Sequence, residues 1–228
     1  MPLDKKSLEE LFRKLEPEVT TYMNRYDGGH DMNHIRRVYR NAHIILEGEQ
    51  ALHPDTQYDY YLICYAALLH DVGDKKYAAP GEDVSSMVKT FMLSRVDEPN
   101  EEWEAFAAKV QIVSTYVSFS TEKKDPEKTK EAISQFPELA IVQDADRLDA
   151  IGAVGVGRSF SFAENRHYGM QDGVDQFDVK LLRLAPIMKT ETGKKLGMER
   201  HERLLAFQKW WQEEAPIPET LAFRSDGA

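Results

Sequence analysis

The sequence predicts an all-α protein that folds as a compact single-domain helical bundle. Apolar residues recur at helical spacing along most of the 228 residues, and alternation of period two is weak and confined to residues 110–120. No internal repeat or low-complexity tract divides the chain. Because this length is long for a minimal domain and short for two, we expect one domain over residues 1–214, with an extended tail over 215–228.

Each predicted helix follows from local signals. The first begins at Ser7, an N-cap residue whose capping box is completed by Glu10, and its apolar positions are Leu8, Leu11, Phe12, Leu15 and Val19. A second helix covers residues 33–47, with Gly48 near its end, where glycine is common. The remaining predicted helices cover residues 57–70, 83–94, 101–115, 137–151 and 192–213. Of these, residues 57–70 are apolar nearly all round, which is typical of a buried central helix.

Two segments carry no helical prediction. Residues 118–127 form a polar stretch, and residues 151–157 are rich in glycine and other small residues. The second segment would let two helices approach closely, or kink.

Composition narrows the function classes. The chain has 29 basic and 39 acidic residues and a net charge of −10, which argues against nucleic acid as the main partner. A polyphosphate substrate would therefore need positive charge clustered locally in an acidic protein. The N-terminus lacks an apolar signal segment, and no apolar run is long enough for a bilayer, so we expect a cytoplasmic protein without a membrane partner. Cys64 is the single cysteine, which excludes an intrachain disulfide.

Four ionisable residues stand where they could converge. His34 opens the second predicted helix, His70 and Asp71 end the apolar third helix, and Asp146 lies in a run of acids over residues 143–149. A carboxylate at the end of an apolar helix is costly to bury without a partner, and a metal ion or a salt bridge would remove that cost. The alternative is a helix-end histidine beside a solvated aspartate.

Three motifs occur in a characteristic order: GHDMNHIRRV at residues 29–38, ALLHDV at 67–72 and DADRLD at 144–149. Together they resemble the signature of the HD-domain metal-dependent phosphohydrolases. The wider runs IVQDADRLDAIG, KLLRL and MKTETG resemble a subgroup of small stand-alone members typified by bacterial nucleotide pyrophosphohydrolases. The resemblance covers about residues 20–214, with the motif core at about 25–160, and it implies the all-helical HD fold.

The resemblance implies that His34, His70, Asp71 and Asp146 hold one divalent metal ion. Two imidazoles and two carboxylates suit Mn²⁺ first, or Fe²⁺, Co²⁺ or Ni²⁺, better than a structural zinc ion. Binuclear relatives carry further histidines after the His-Asp pair, whereas this chain has none between His70 and His167. We therefore expect a single metal.

The resemblance also suggests residues that act on the substrate. Asp74 would serve as general base or orient the attacking water. Lys75 and Lys76 could hold phosphate, although a solvated lysine pair is the alternative. Relatives often carry a histidine just before the Ser-Phe-Ser of residues 118–120, where this chain has Val117, so a substrate contact made in relatives is lost or replaced here.

Three further residues could reach the substrate. Asp149 lies one helical turn after Asp146 and could contact the water on the metal or a sugar hydroxyl. Arg158 flanks the glycine-rich segment and could clamp phosphate. His30, four residues before His34, could contact the substrate or support the metal site.

The expected function is hydrolysis of a phosphate ester or anhydride of a small metabolite, with a nucleotide as the leading substrate. Alternative substrates are a cyclic nucleotide, an alarmone or a non-nucleotide phosphoester. A second alternative is a non-enzymatic module that senses a ligand through its metal. The partner is then a small phosphorylated molecule, and the protein is a monomer or a homodimer.

Overall fold

The computed structural model describes residues 3–24, 31–73 and 84–215, and it contains helices and no β-strand in these ranges, which confirms the all-α prediction. The helices are α1 (Lys5–Met23), α2 (Met32–Leu52), α3 (Tyr60–Leu69), α4 (Met87–Leu93), α5 (Glu101–Val117), α6 (Phe119–Lys124), α7 (Pro126–Gln135), α8 (Glu138–Asp149), α9 (Gly152–Asn165), α10 (Met170–Val179) and α11 (Glu191–Glu214). Two 3₁₀ turns, Leu181–Arg183 and Ala185–Ile187, connect α10 to α11. No described helix is long and apolar enough to span a bilayer.

The start of α1 differs from the prediction. The N-cap is Asp4, whose carboxylate accepts a hydrogen bond from the backbone N–H of Ser7 at 2.8 Å. Ser7 therefore occupies the third helical position and is buried, and no capping box forms with Glu10. Aspartate and serine cap helices about equally well, so the sequence offered two starting points three residues apart.

Glycine and short polar helices account for the other differences. Gly48 does not end α2, which continues to Leu52; a Cβ at this position would overlap the side chain of Thr192, so the glycine permits a close approach to α11. The polar stretch over 118–127 contains α6 and the start of α7. The glycine-rich segment forms the first turns of α9, entered through a positive φ at Gly152. A Cβ at Gly152 would lie 3.0 Å from the Arg200 side chain of α11, so the expected close approach of two helices is observed.

The core forms around α8. This helix packs against α2 most extensively, and also against α3, α5 and α11. The apolar α3 is buried along most of its length, as predicted, because neighbouring helices surround it. The packing places the start of α2, the end of α3 and the middle of α8 at one edge of the core.

A buried carboxylate fixes the segment before α11. Asp144 is fully buried and accepts hydrogen bonds from the backbone N–H groups of Lys189 and Thr190 and from the Thr190 hydroxyl, at 2.7–2.9 Å. Burial raises the pKa of Asp144, and these hydrogen bonds oppose the rise. Gly193 stands against the same carboxylate, because a Cβ there would overlap both Asp144 and the Thr190 hydroxyl. The site requires a residue without a side chain.

We expect the Gly193→Ala substitution to lower the free energy of unfolding by about 1–3 kcal/mol, because the methyl group must displace a buried carboxylate. Gly157→Ala is the matched control: it also lies inside a helix, but a Cβ there meets nothing within 4 Å. That control should be neutral or gain about 0.5–1 kcal/mol from helix propensity. Urea denaturation of both variants measures the difference, and equal effects would contradict the proposed close contact.

Candidate metal centre

Two helix ends bring the candidate ligands together. His34 lies in the first turn of α2, where the N-cap Asp31 accepts a hydrogen bond from its backbone N–H at 2.9 Å. His70 is the C-cap of α3, and Asp71 follows it directly. Asp146 projects from α8 towards both ends. Elements far apart in sequence therefore supply one polar cluster at the edge of the core.

Three of the candidate ligands, His34, His70 and Asp146, are close enough to share one ion, and Asp71 lies beside them. The Nε2 atoms of His34 and His70 lie 3.3 Å apart, and Asp146 Oδ1 lies 3.5 Å and 3.9 Å from them. The ligand atoms of these three residues all fall within 4.8 Å of one another. Asp71 joins through separate oxygens, Oδ2 at 3.4 Å from His34 and Oδ1 at 3.5 Å from His70. Within the described ranges, this is the one histidine–carboxylate group with such spacing.

Both imidazoles are oriented by their other nitrogen. His34 Nδ1 donates to Asp149 Oδ2 at 2.8 Å, and His70 Nδ1 donates to the carbonyl oxygen of Ala67 at 3.0 Å. This arrangement leaves each Nε2 facing the cluster with its lone pair. Two lone pairs 3.3 Å apart repel each other unless a proton or a cation lies between them. The nitrogen and oxygen donors, without a thiolate, fit a divalent transition-metal ion.

The electrostatics of His34 lead to the same conclusion. Burial would lower the pKa of His34, but hydrogen bonds with Asp149 and Asp71 raise it to about 9 in the metal-free protein. The side chain is only 1% exposed, so the surrounding carboxylates act on it with little screening. The pocket thus stabilises positive charge at the position between the imidazoles.

Asp149 lies behind His34 and outside the cleft. Its carboxylate is 1% exposed and accepts from Arg37 Nε at 2.6 Å, from Arg158 Nη1 at 2.8 Å and from His34. Burial would raise the pKa of Asp149, but the hydrogen bonds from His34 and Arg37 hold it below its usual value. The expected contact between Asp149 and a substrate stays a prediction. Its carboxylate orients His34.

The cluster forms the floor of a cleft of about 700 Å³. Arg158 reaches this cleft from α9 while holding Asp149, and its contact with phosphate stays a prediction. Lys123 and Lys180 also line the cleft, so positive charge is present there although the chain is acidic overall. Val117 is buried in the apolar core and does not line the cleft.

Some expectations fall outside the described residues: His30, Asp74, Lys75 and Lys76 all do. Two residues that sequence reasoning missed are important to the site. Arg37 grips Asp149 through two nitrogens, and the only sequence signal was its place one turn after His34. Glu122 binds both Arg147 and Lys189 beside the cleft, and nothing in its polar surroundings marked it.

Replacing Asp149 by asparagine should weaken Mn²⁺ binding about 10- to 100-fold, because an amide no longer fixes the tautomer and orientation of His34. Asp97→Asn is the control, since Asp97 is 75% exposed and forms a surface ion pair with Lys14. Competition with a fluorescent chelator measures both affinities. An Asp149→Asn protein that is folded and binds Mn²⁺ like the Asp97→Asn protein would refute the orienting role.

The chain is similar to known proteins both in sequence and in structure. No protein-family model matches the chain. The uncharacterised protein YpgQ of Bacillus subtilis is 34% identical over 203 residues, covering 87% of this chain and 90% of YpgQ. A crystal structure of YpgQ in complex with ADP has a TM-score of 0.67 at 28% identity, covering 92% of this chain and 97% of that one.

The crystal structure of an HD-superfamily hydrolase from Bacillus thuringiensis matches this chain with a TM-score of 0.60 at 26% identity. The match covers 92% of this chain and 100% of that one. The described fold is therefore that of an HD-superfamily hydrolase, and it contains a His-His-Asp group able to hold a metal. The resemblance drawn from the three motifs is confirmed. This chain belongs to the YpgQ family and is a member of the HD superfamily.

Proposed function

We propose that this protein is a metal-dependent phosphohydrolase that cleaves a phosphate ester or anhydride of a nucleotide. The observation that carries the proposal is the geometry of His34 and His70, whose Nε2 atoms face each other at 3.3 Å beside two carboxylates. This cluster forms the floor of a cleft lined by cations. A metal ion and cationic side chains in one cleft suit an anionic substrate that is bound by both.

His34, His70, Asp71 and Asp146 would hold one divalent ion, with Mn²⁺ as the first choice. When bound, the ion supplies Lewis-acid chemistry: it polarises a phosphoryl oxygen and makes water acidic at neutral pH. Asp149 keeps His34 in the tautomer that ligation requires.

Charge on the substrate is balanced by the cations of the cleft. Arg158 is only 18% exposed and is held by Asp149, so its guanidinium is positioned before the substrate arrives. Such pre-positioned donors favour the negative charge that develops on phosphoryl oxygens. Asp74 as general base, and Lys75, Lys76 and His30 as substrate contacts, remain part of the proposal.

A nucleotide is the proposed substrate because the related YpgQ was crystallised with ADP. YpgQ shares 34% identity with this chain over 203 residues. A nucleoside diphosphate combines phosphates, which match the metal and Arg158, with a sugar and a base that can occupy the rest of a cleft of about 700 Å³.

The test is a hydrolysis screen with Mn²⁺. Nucleoside mono-, di- and triphosphates, cyclic nucleotides and p-nitrophenyl phosphate are each incubated with the wild type, and released phosphate and pyrophosphate are measured separately. Asp71→Asn keeps the shape of the side chain but loses its charge, and it should reduce kcat/KM at least about 100-fold.

A wild type that releases no phosphate or pyrophosphate above the Asp71→Asn background on any substrate would refute the enzymatic proposal. ADP binding without turnover would then indicate a ligand-sensing module. Turnover of p-nitrophenyl phosphate alone would retain the phosphohydrolase and exclude the nucleotide.

A further inference from the structure

The wall of the cleft at the α5–α6 corner is made of hydroxyl groups. Ser118, Ser120 and Thr121 all line it, together with Phe119. The hydroxyls of Ser118 and Ser120 lie 2.6 Å apart and are hydrogen-bonded to each other. Ser118 occupies the N-cap position of α6, but its hydroxyl makes no capping hydrogen bond. Within this pair, one proton and several lone pairs therefore stay available to a ligand.

A third hydroxyl at this wall is buried. Ser114 lies four residues before Ser118, lines the same cleft and is only 4% exposed. Its Oγ has no hydrogen-bond partner in the described part of the chain. Buried hydroxyls are nearly always hydrogen-bonded in folded proteins, so this one needs a polar partner that the described residues do not supply, and a ligand in the cleft could provide it.

Apolar packing holds α6 only through Phe119, which is partly buried against the core. The helix has six residues, and none of them is buried. Glu122 instead ties it to the body of the protein by binding Arg147 of α8 and, at 2.5 Å, the Lys189 ammonium group. Arg147 is 1% exposed and directly follows the candidate ligand Asp146. The hydroxyl wall and the metal cluster are therefore held to the same helix.

We infer that Ser118 and Ser120, held in place by Glu122, bind the sugar hydroxyls of the nucleotide. The inference rests on the proposed function and assigns the sugar of the nucleotide to the wall of the cleft at the α5–α6 corner. Neutral hydroxyls both donate and accept, as sugar hydroxyls do, whereas the phosphates match the metal cluster and Arg158. The Glu122 carboxylate is balanced by two cations, so it does not repel an incoming anion. Lys123 on the same helix makes phosphate the competing ligand, and the experiment separates the two.

The experiment compares ADP with inorganic diphosphate, which carries the same number of phosphates and no sugar. Dissociation constants are measured calorimetrically with Mn²⁺ for the wild type and for the Ser118→Ala/Ser120→Ala double variant, and product analysis after each titration checks for turnover. Loss of the hydroxyls should weaken ADP about 5- to 20-fold and change diphosphate binding less than about 2-fold. Equal weakening of both ligands would assign the wall to phosphate, and no change in either would remove it from the site; both results overturn the inference.

The positioning role of Glu122 has its own variant. Glu122→Gln should reproduce the selective loss of ADP affinity, because α6 loses its charged tie, while Mn²⁺ affinity stays unchanged. Glu127→Gln, on the exposed surface of α7, should affect neither ligand. If Glu122→Gln weakens Mn²⁺ and ADP equally, Glu122 has a structural role only.

The two proposals fail separately. If the wild type hydrolyses no substrate but the serine double variant binds ADP more weakly than the wild type, the enzymatic proposal is refuted and the sugar contact is retained. If the wild type hydrolyses nucleotides but the serine double variant binds ADP equally well, the sugar contact is refuted and the enzymatic proposal is retained.

Discussion

The burial of charged side chains on α8 is the constraint on which the rest of this structure depends. Asp144, Arg147 and Asp149 are each at most 1% exposed, and a buried charge is strongly unfavourable unless partners compensate it. The partners come from different elements: the segment before α11 for Asp144, α6 for Arg147, and α2 and α9 for Asp149. Asp146, in the middle of the same run, is the more exposed acid and faces the cleft.

The same interactions therefore determine both the stability of the fold and the geometry of the site. The hydrogen bond that neutralises Asp149 also fixes the ring of His34, and the ion pair that neutralises Arg147 also places the α5–α6 wall of the cleft. Buried ion pairs contribute little net stability compared with apolar packing, but they specify one arrangement of the elements that they join. In this protein, that arrangement surrounds Asp146.

The helical pattern of the sequence was sufficient for the fold class, and its resemblance to the HD-domain phosphohydrolases identified the residues that converge. An apolar helix ending in His70-Asp71 and an acidic run within a helix are local patterns, and the structure brings them together with His34. The direction of Asp149 could not be predicted, because it depends on the rotation of α8 against α2 and on Arg37 and Arg158. Glu122 had no signal, because α6 is short, polar and without apolar periodicity. Its position comes from partners distant in sequence.

The central claim is that His34, His70, Asp71 and Asp146 bind a single metal ion, and crystals soaked in Mn²⁺ test it most directly. Anomalous diffraction recorded on both sides of the manganese absorption edge locates the ion. We expect one strong peak within about 2.3 Å of both Nε2 atoms and of an oxygen from each aspartate. A peak elsewhere, or none between the two imidazoles at saturating Mn²⁺, would contradict the account.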